Sequence, residues 1–401
     1  MRPTHRSTLL RPCLASVAAL LAGCSHDLFS DFNPPVVCRT DSPVQSSVFL
    51  VGDSGAPQLP TRGSEGPDAL VDPLLLHLRA DVAAQSEKLG PERTGVVFLG
   101  DNVYPAGLPP AGAKDRAEKE RVLVAQIAAV GRARGLFTLG NHDWNQGKQD
   151  GWQRAVAQVE YLGAQGDRIS VHPGGACPGP EVVDFGEQIR FVFFDLWATI
   201  YQQDTNNAHQ AHCPMLAGDG RLIAAVNRIL DETTPRRTVV VTHAPLLTGG
   251  PHGGYFPWHE HIFPLRVFQR DLWIPLPIIG SIFPIARMLG VTDVDVMGPR
   301  YRAYIAGTRQ TLRPGNPALV AAGHEHSLQI HIDPAGVYHA VSGAGSIGKV
   351  DYVRRMPSDL MSLAAPGYMR LDSYPDGKLR LLVIALDDEL ARRNVFDTCI
   401  P

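Results

Sequence analysis

The chain lacks a charge excess, a lysine-rich face and a long unbroken apolar run. Across 401 residues the formal charge is −3, and lysine is scarce beside arginine. A general nucleic-acid binder needs a basic face, so no nucleic acid is expected as a partner. No apolar run suffices to cross a bilayer. Cys13–Gly23 is too short, and Trp273–Leu289 (WIPLPIIGSIFPIARML) is interrupted by Pro275, Pro277 and Pro284. The latter reads as a loop-rich insertion packed on the domain, or as a surface that touches lipid. None of the 6 cysteines stands at C-x-x-C spacing, which argues against a thiolate-held metal. There is no internal repeat and no composition break that cuts the chain. What remains, 44% of it hydrophobic, suits one large globular domain, or at most two or three, with a sizeable core.

Arg2, His5, Arg6 and Arg11 precede the small and apolar stretch Cys13–Gly23, so residues 1–23 read as a signal peptide. Leu21-Ala22-Gly23-Cys24 resembles a bacterial lipobox. That implies cleavage before Cys24, a diacylglycerol on its sulfur, and attachment to a membrane surface. Ser25 in the next position favours the outer membrane of the cell envelope; an ordinary signal peptide would give a periplasmic or secreted protein. Residues 24–45 form the anchor and tether. With Cys13 removed and Cys24 lipidated, Cys38, Cys177, Cys213 and Cys399 remain. An even number in an exported chain suggests two disulfides, with three possible connectivities. The favoured pairs are Cys177–Cys213, clipping a Gly/Pro-rich loop, and Cys38–Cys399, tying the two ends.

From residue 46 to 390 the chain alternates short apolar runs with helical stretches. Ser47–Val51, Gly95–Leu99, Leu136–Leu139, Arg190–Phe194, Thr238–Val241 and Ala318–Ala321 read as buried strands. Pro73–Leu89, Lys114–Arg132, Gly151–Leu162 and Gly220–Leu230 read as helices, the first closed by Gly90. Such alternation predicts an α/β domain. Ser327–Ile332, Val337–Val341, Tyr368–Asp372 and Lys378–Leu386 read as hairpin strands. Residues 255–313 form an insertion and residues 391–401 a C-terminal tail.

The chemistry-bearing residues follow these strands, where open α/β sheets place ligands. They are Gly52-Asp53-Ser54-Gly55, Gly100-Asp101-Asn102-Val103-Tyr104, Gly140-Asn141-His142-Asp143, Thr242-His243 and Gly323-His324-Glu325-His326. An Asp beside Gly after one strand is ordinary turn chemistry. Five such segments in succession are not. Carboxylate, amide, phenolate and imidazole suit iron, manganese or zinc. Seven ligands exceed one ion and fit two with a shared carboxylate, an arrangement that binds phosphate and activates water.

In this order the motifs resemble the calcineurin-like metallophosphoesterases, and within them the small, animal-type purple acid phosphatases. GDNVYPAGLP, HEHSLQ and VSGAGS extend the likeness. The resemblance implies a four-layer α/β/β/α sandwich. It also implies one metal on Asp53, Tyr104 and His326, a second on Asn141, His243 and His324, and Asp101 bridging. Fe(III) would occupy the tyrosine site, with Fe(II), Zn or Mn beside it. Most relatives carry a histidine ligand where this chain has Gly55, a gap that Tyr104 would fill. His142 would contact the phosphate and assist the leaving group, with Asp143 orienting it. His252, nine residues beyond His243, matches an outer active-site histidine. The implied activity is phosphate monoester hydrolysis by metal-bound hydroxide. A phosphodiesterase or nucleotidase on the same centre is the alternative, and a non-catalytic envelope-binding lipoprotein the rival of another class. The insertion and the Ala244-Pro245 pair depart from the small enzymes, so substrate preference is not carried over.

Overall fold

The computed structural model describes residues 38, 42–61, 70–202, 212–213, 220–267 and 272–401. The expected signal peptide, Cys24 and most of the tether lie outside the described residues.

In chain order the elements are β1 (Ser46–Val51), α1 (Pro73–Leu89), β2 (Thr94–Leu99), α2 (Arg116–Val130), β3 (Arg134–Thr138), α3 (Gly151–Gly163) and β4 (Ile169–Val171). There follow β5 (Glu181–Phe185), β6 (Ile189–Phe193), α4 (Leu196–Gln202), α5 (Arg221–Asp231) and β7 (Arg237–Val241). The insertion holds α6 (Trp258–Ile262), α7 (Ile279–Met288) and α8 (Pro299–Thr311). The chain closes with β8 (Leu319–Ala322), β9 (Leu328–Ile332), β10 (Tyr338–Ser342), β11 (Asp359–Leu363), β12 (Gly367–Ser373), β13 (Leu379–Leu386) and β14 (Arg392–Ile400).

Two seven-stranded mixed sheets result, ordered β14-β13-β12-β1-β2-β3-β4 and β11-β9-β10-β8-β7-β6-β5. β1 to β4 run parallel, as do β6, β7, β8 and β10, and hairpin strands extend each sheet. Every residue of β1 is buried, because the strand has cover on both faces. Phe49 and Val51 join a cluster with Leu74, Leu75 and Leu78 of α1 and Leu123 of α2. Alternation turns Val48 and Leu50 toward the second sheet. The outer face of that sheet packs Val192, Val240 and Val320 under Leu222 and Val226 of α5 and Tyr304 of α8. The chain is an α/β protein of two mixed sheets with helices packed on them.

Local chemistry explains the boundaries. At α1 the Asp72 carboxylate accepts from Leu75 N at 3.0 Å, Pro73 opens the first turn and Gly90 ends the helix at φ 98°. Both favoured disulfides form, Cys38–Cys399 and Cys177–Cys213.

Two expectations are corrected. Residues 391–401 are not a tail. β14 pairs along β13 from Leu386–Arg392 to Leu379–Ile400, and the Cys38 disulfide attaches to it. Trp273–Leu289, read as loop-rich, is loop only in its first half; its second half forms α7, with Pro284 inside it and buried.

Candidate metal centre

Glycines at the strand ends let the two sheets meet. A Cβ on Gly52, after β1, would lie 3.0 Å from Cα of Gly323, after β8. A side chain there would have to push the two strand ends apart by a few tenths of an ångström. The following residues leave their strands in the left-handed region, with φ of 59° at Asp53, 53° at Asp101 and 72° at His324. This strain at three adjoining non-glycine positions turns their side chains into one space.

There the predicted ligands fall into two groups. In the first, Tyr104 Oη donates to Asp53 Oδ1 at 2.9 Å and lies 3.0 Å from His326 Nε2. In the second, Asn141 Oδ1 lies 3.1 Å from His243 Nε2 and 2.9 Å from His324 Nδ1. Asp101 stands beside both, its Oδ1 3.4 Å from His243 Nε2. Asp53, Asp101 and His243 are all buried, and each presents a ligand atom within 4.8 Å of the others, close enough to hold an ion.

The outward nitrogens of these histidines fix the tautomers. His243 Nδ1 donates to Leu99 O at 2.7 Å, and His324 Nε2 donates to Val294 O at 2.8 Å. In the neutral rings the inward nitrogens therefore carry lone pairs, both aimed at the amide oxygen of Asn141. With both rings neutral, three acceptors face one another, a donor set that suits a cation. The residues fit a metal.

The electrostatics are mixed: burial opposes charge on His243, but Asp101 and Asp53 outweigh it and raise its pKa. Burial, then Asp101 and Asp53, push the Tyr104 phenol well above its usual range, so ionisation needs a compensating positive charge. Burial, then the neighbouring His252 and His243, hold His324 well below the usual histidine range, in the neutral form a ligand requires. Burial opposes charge on His326, but its partners Asp351 and Asp53 outweigh it and raise the pKa to about 10. Burial disfavours charge on Asp101 too, yet His243 and His142 bring its pKa below the usual value.

The residues beyond the ligands fall differently. His142 stands at the mouth, its ring 4.5 Å from that of Tyr104 and its Nε2 3.9 Å from Asp101 Oδ2. Burial lowers its pKa. Asp143 does not orient it. His142 Nδ1 donates to Pro105 O at 2.6 Å, while the Asp143 carboxylate accepts from Gly140 N, Asn102 N, Val103 N and Asn102 Nδ2 at 2.9–3.1 Å. Through these bonds Asp143 braces the loops that carry Asp101 and Asn141. His252 does reach the centre, its ring 4.0 Å from that of His324. Its Nδ1 lies 3.1 Å from Asp295 Oδ1 and 2.9 Å from Arg287 Nη2.

Sequence reasoning missed several participants. Asp351 holds His326 Nδ1 at 2.7 Å, and the Lys349 ammonium lies 3.9 Å over the Tyr104 ring. Both follow closely on VSGAGS and were within reach of that motif. Glu325, buried between two ligands, accepts from Thr248 Oγ1 at 2.9 Å and Gly253 N at 3.1 Å, anchoring the His252 loop. Asp295 and Arg287 lie in the insertion, where no spacing marked them.

No family model matches the chain, and no curated protein matches it. Solved structures do. A purple acid phosphatase, PPD1, from yellow lupin (Lupinus luteus) seeds matches with a TM-score of 0.50 at 12% identity. The match covers 90% of this chain and 54% of that chain, so this chain spans about half the length of the lupin enzyme. GAP50, the anchor in the inner membrane complex of Plasmodium, matches with a TM-score of 0.49 at 14% identity, over 88% of this chain and 89% of that one. A dimetal phosphatase from Danio rerio matches with a TM-score of 0.39 at 13% identity, over 89% and 99%. At these identities the likeness concerns the fold, and the lupin enzyme supports it.

Proposed function

We propose that this chain hydrolyses phosphate monoesters at a dinuclear metal centre. Asp53, Tyr104 and His326 would hold one ion and Asn141, His243 and His324 the other, with Asp101 placed to serve both. The observation that carries this reading is the convergence of the lone pairs of His243 and His324 on Asn141 Oδ1. Two bound cations would clamp the phosphate oxygens and make water a nucleophile near neutral pH. Fe(III) suits the hard phenolate of Tyr104, with Fe(II), Zn or Mn at the nitrogen-rich position.

The chain's own residues supply the rest. His142, anchored through Nδ1 to Pro105 O with Nε2 3.9 Å from Asp101 Oδ2, in its protonated form delivers a proton to the leaving oxygen. Lys349 adds positive charge above Tyr104, where phosphate charge is to be balanced. His252 contacts the ester from the side of His324. The four cysteines in disulfides fit an exported protein, and the lipobox supports attachment to the outer membrane of a cell envelope through lipidated Cys24.

The same centre could serve a diesterase or nucleotidase, and an envelope-binding protein could keep the fold without turnover. Metal analysis of the mature protein, with a panel of monoesters, diesters and nucleotides, separates these. Two metals per chain and monoester turnover are expected; a metal-free, inactive protein overturns the reading. The Fe(III)-loaded protein should be coloured through tyrosinate-to-iron charge transfer, and Tyr104→Phe should remove the colour. A colourless, fully active zinc or manganese protein would exclude iron while keeping the hydrolase.

A further inference from the structure

Helix α7 carries its charge inward and its apolar side chains outward. Ile278, at its start, is 86% exposed and Leu289, at its end, 75%; Ile279, Ile282, Phe283, Ile285 and Met288 are exposed between them. Spacings of three and four residues align Ile278, Ile282, Ile285 and Leu289 in one stripe. The opposite side is packed. A Cβ on Gly280 would sit 2.4 Å from His261 O, and Pro284 is buried. Arg287 is 14% exposed, its guanidinium 3.0 Å from Asp295 Oδ2 and 2.9 Å from His252 Nδ1. Trp273, Ile274 and Val291 enlarge the exposed apolar surface. From Leu272 to Thr292 the sequence contains no Asp, Glu or Lys, and its one charged residue is that inward Arg287. A contiguous patch of this kind on a water-soluble surface marks an interaction site.

We propose that α7 and its flanks lie in the interfacial layer of a lipid bilayer. The helix has ten residues, about 15 Å in length, against a hydrocarbon thickness of about 30 Å. It can lie along the surface but cannot cross, and no described helix is long and apolar enough to do so. The border of the patch has the residues of a headgroup layer: the Arg266 guanidinium lies 3.6 Å over the ring of half-exposed Trp273, and Trp258 is exposed nearby. The chain outside the described residues selects lipid over a protein partner. The lipobox cysteine, Cys24, stands 14 positions before Cys38, which is bonded to Cys399 in β14. An extended chain of that length reaches about 50 Å, so an acylated Cys24 would keep the domain beside a bilayer. Arg287 joins the inner side of α7 to His252, so a membrane on the outer side would lie about one helix diameter, roughly 10 Å, from that contact, with the His252 ring between it and His324. Docking through α7 would thereby fix which way the cleft faces, beyond what the acyl chains alone can do.

The test uses the mature protein produced from the full chain and vesicles of phosphatidylcholine and phosphatidylglycerol, with part of the phosphatidylcholine brominated on its tails. Bromine quenches tryptophan fluorescence only on contact. Quenching is expected for the native protein, and Trp273→Phe should remove most of it. Ile278→Ser with Ile282→Ser should shift the inserted population down by about a hundredfold, roughly tenfold per buried isoleucine. The double variant replaces exposed residues, so its melting temperature and turnover of a soluble ester should stay native. Absence of quenching in the native protein, or quenching that survives the double substitution, overturns the proposal. Dimerisation without lipid that the same substitutions abolish would assign the face to a second copy and overturn it equally.

Discussion

A Cβ built on Gly55 would lie 2.6 Å from the carbonyl oxygen of Asp101 and 2.7 Å from Val103 N. The position at which the resemblance would place a histidine is thus closed in this chain, since the backbone of the Asp101–Val103 loop occupies that space. Tyr104 N in turn donates to Gly55 O at 3.1 Å. Gly55→His should therefore fail to add a ligand. It should push the loop of Asp101 outward, cost at least about 1–3 kcal/mol by overpacking, and lower bound metal. Thermal melting with metal analysis checks both; a variant that gains zinc affinity would restore the idea of a vacant ligand position.

Asp101 and His142 should separate in their effects. Asp101 stands beside both ligand groups and is the residue proposed to serve both ions, so Asp101→Asn should reduce metal at both positions and abolish turnover. His142 touches the centre only from its mouth. His142→Ala should retain metal while turnover falls by roughly 10²–10⁴. Metal content measured beside turnover decides, and loss of metal from His142→Ala would remove the distinction.

Asp143 should reveal its bracing role through pH. Burial, then Asp101, raise its pKa to about 7. An acid that holds its proton more tightly folded than unfolded binds more protons in the native state. Its contribution to stability is present at low pH and is lost as pH rises from about 4 toward 7. In metal-free protein, Asp143→Asn should remove that part of the pH slope, read as the difference between the two proteins in urea unfolding at a series of pH values. Equal slopes would contradict it. Asp143→Ala, which strips acceptors from four buried donors, should destabilise by about 1–3 kcal/mol at least.

The central strands and the ligands after them were legible because the parallel strands are short apolar runs ended by Gly with Asp, Asn or His. The edges were not. β5, with Val182 half exposed, and β14, rich in Arg and Asn, have too little apolar character to announce themselves. Pairing with β6 and β13 makes them strands. The pairing of Asp143 with the backbone of Asn102 and Val103 was hidden for a related reason. Adjacency to His142 in sequence says nothing of direction, and Asp143 meets the amides of Asn102 and Val103 only where the loop after β2 comes beside it in the fold. Asp295 was hidden further still, since it meets His252 only through the fold of the insertion.

That last contact yields a prediction about the insertion and the reaction together. Neutral His252 accepts from Arg287 Nη2, and protonated it donates to Asp295 Oδ1, so the pair holds the ring in place in either state. Asp295 is itself held by Arg287 Nε at 3.0 Å and by Thr292 Oγ1. If His252 touches the substrate, His252→Ala should lower kcat/KM by about 10², at the low end for a positioned group, with both metals retained. Asp295→Asn keeps the shape but loses the charge, and should give a smaller loss in the same direction, about tenfold or roughly 1.4 kcal/mol. The two substitutions combined should cost little more than His252→Ala alone, because Asp295 acts through the ring it positions. Additive losses would make Asp295 an independent contributor. Loss of metal in Asp295→Asn would mean instead that the segment serves His324, whose Nε2 donates to the adjacent Val294 carbonyl. Steady-state kinetics on the four proteins, with metal content measured for each, distinguishes these outcomes.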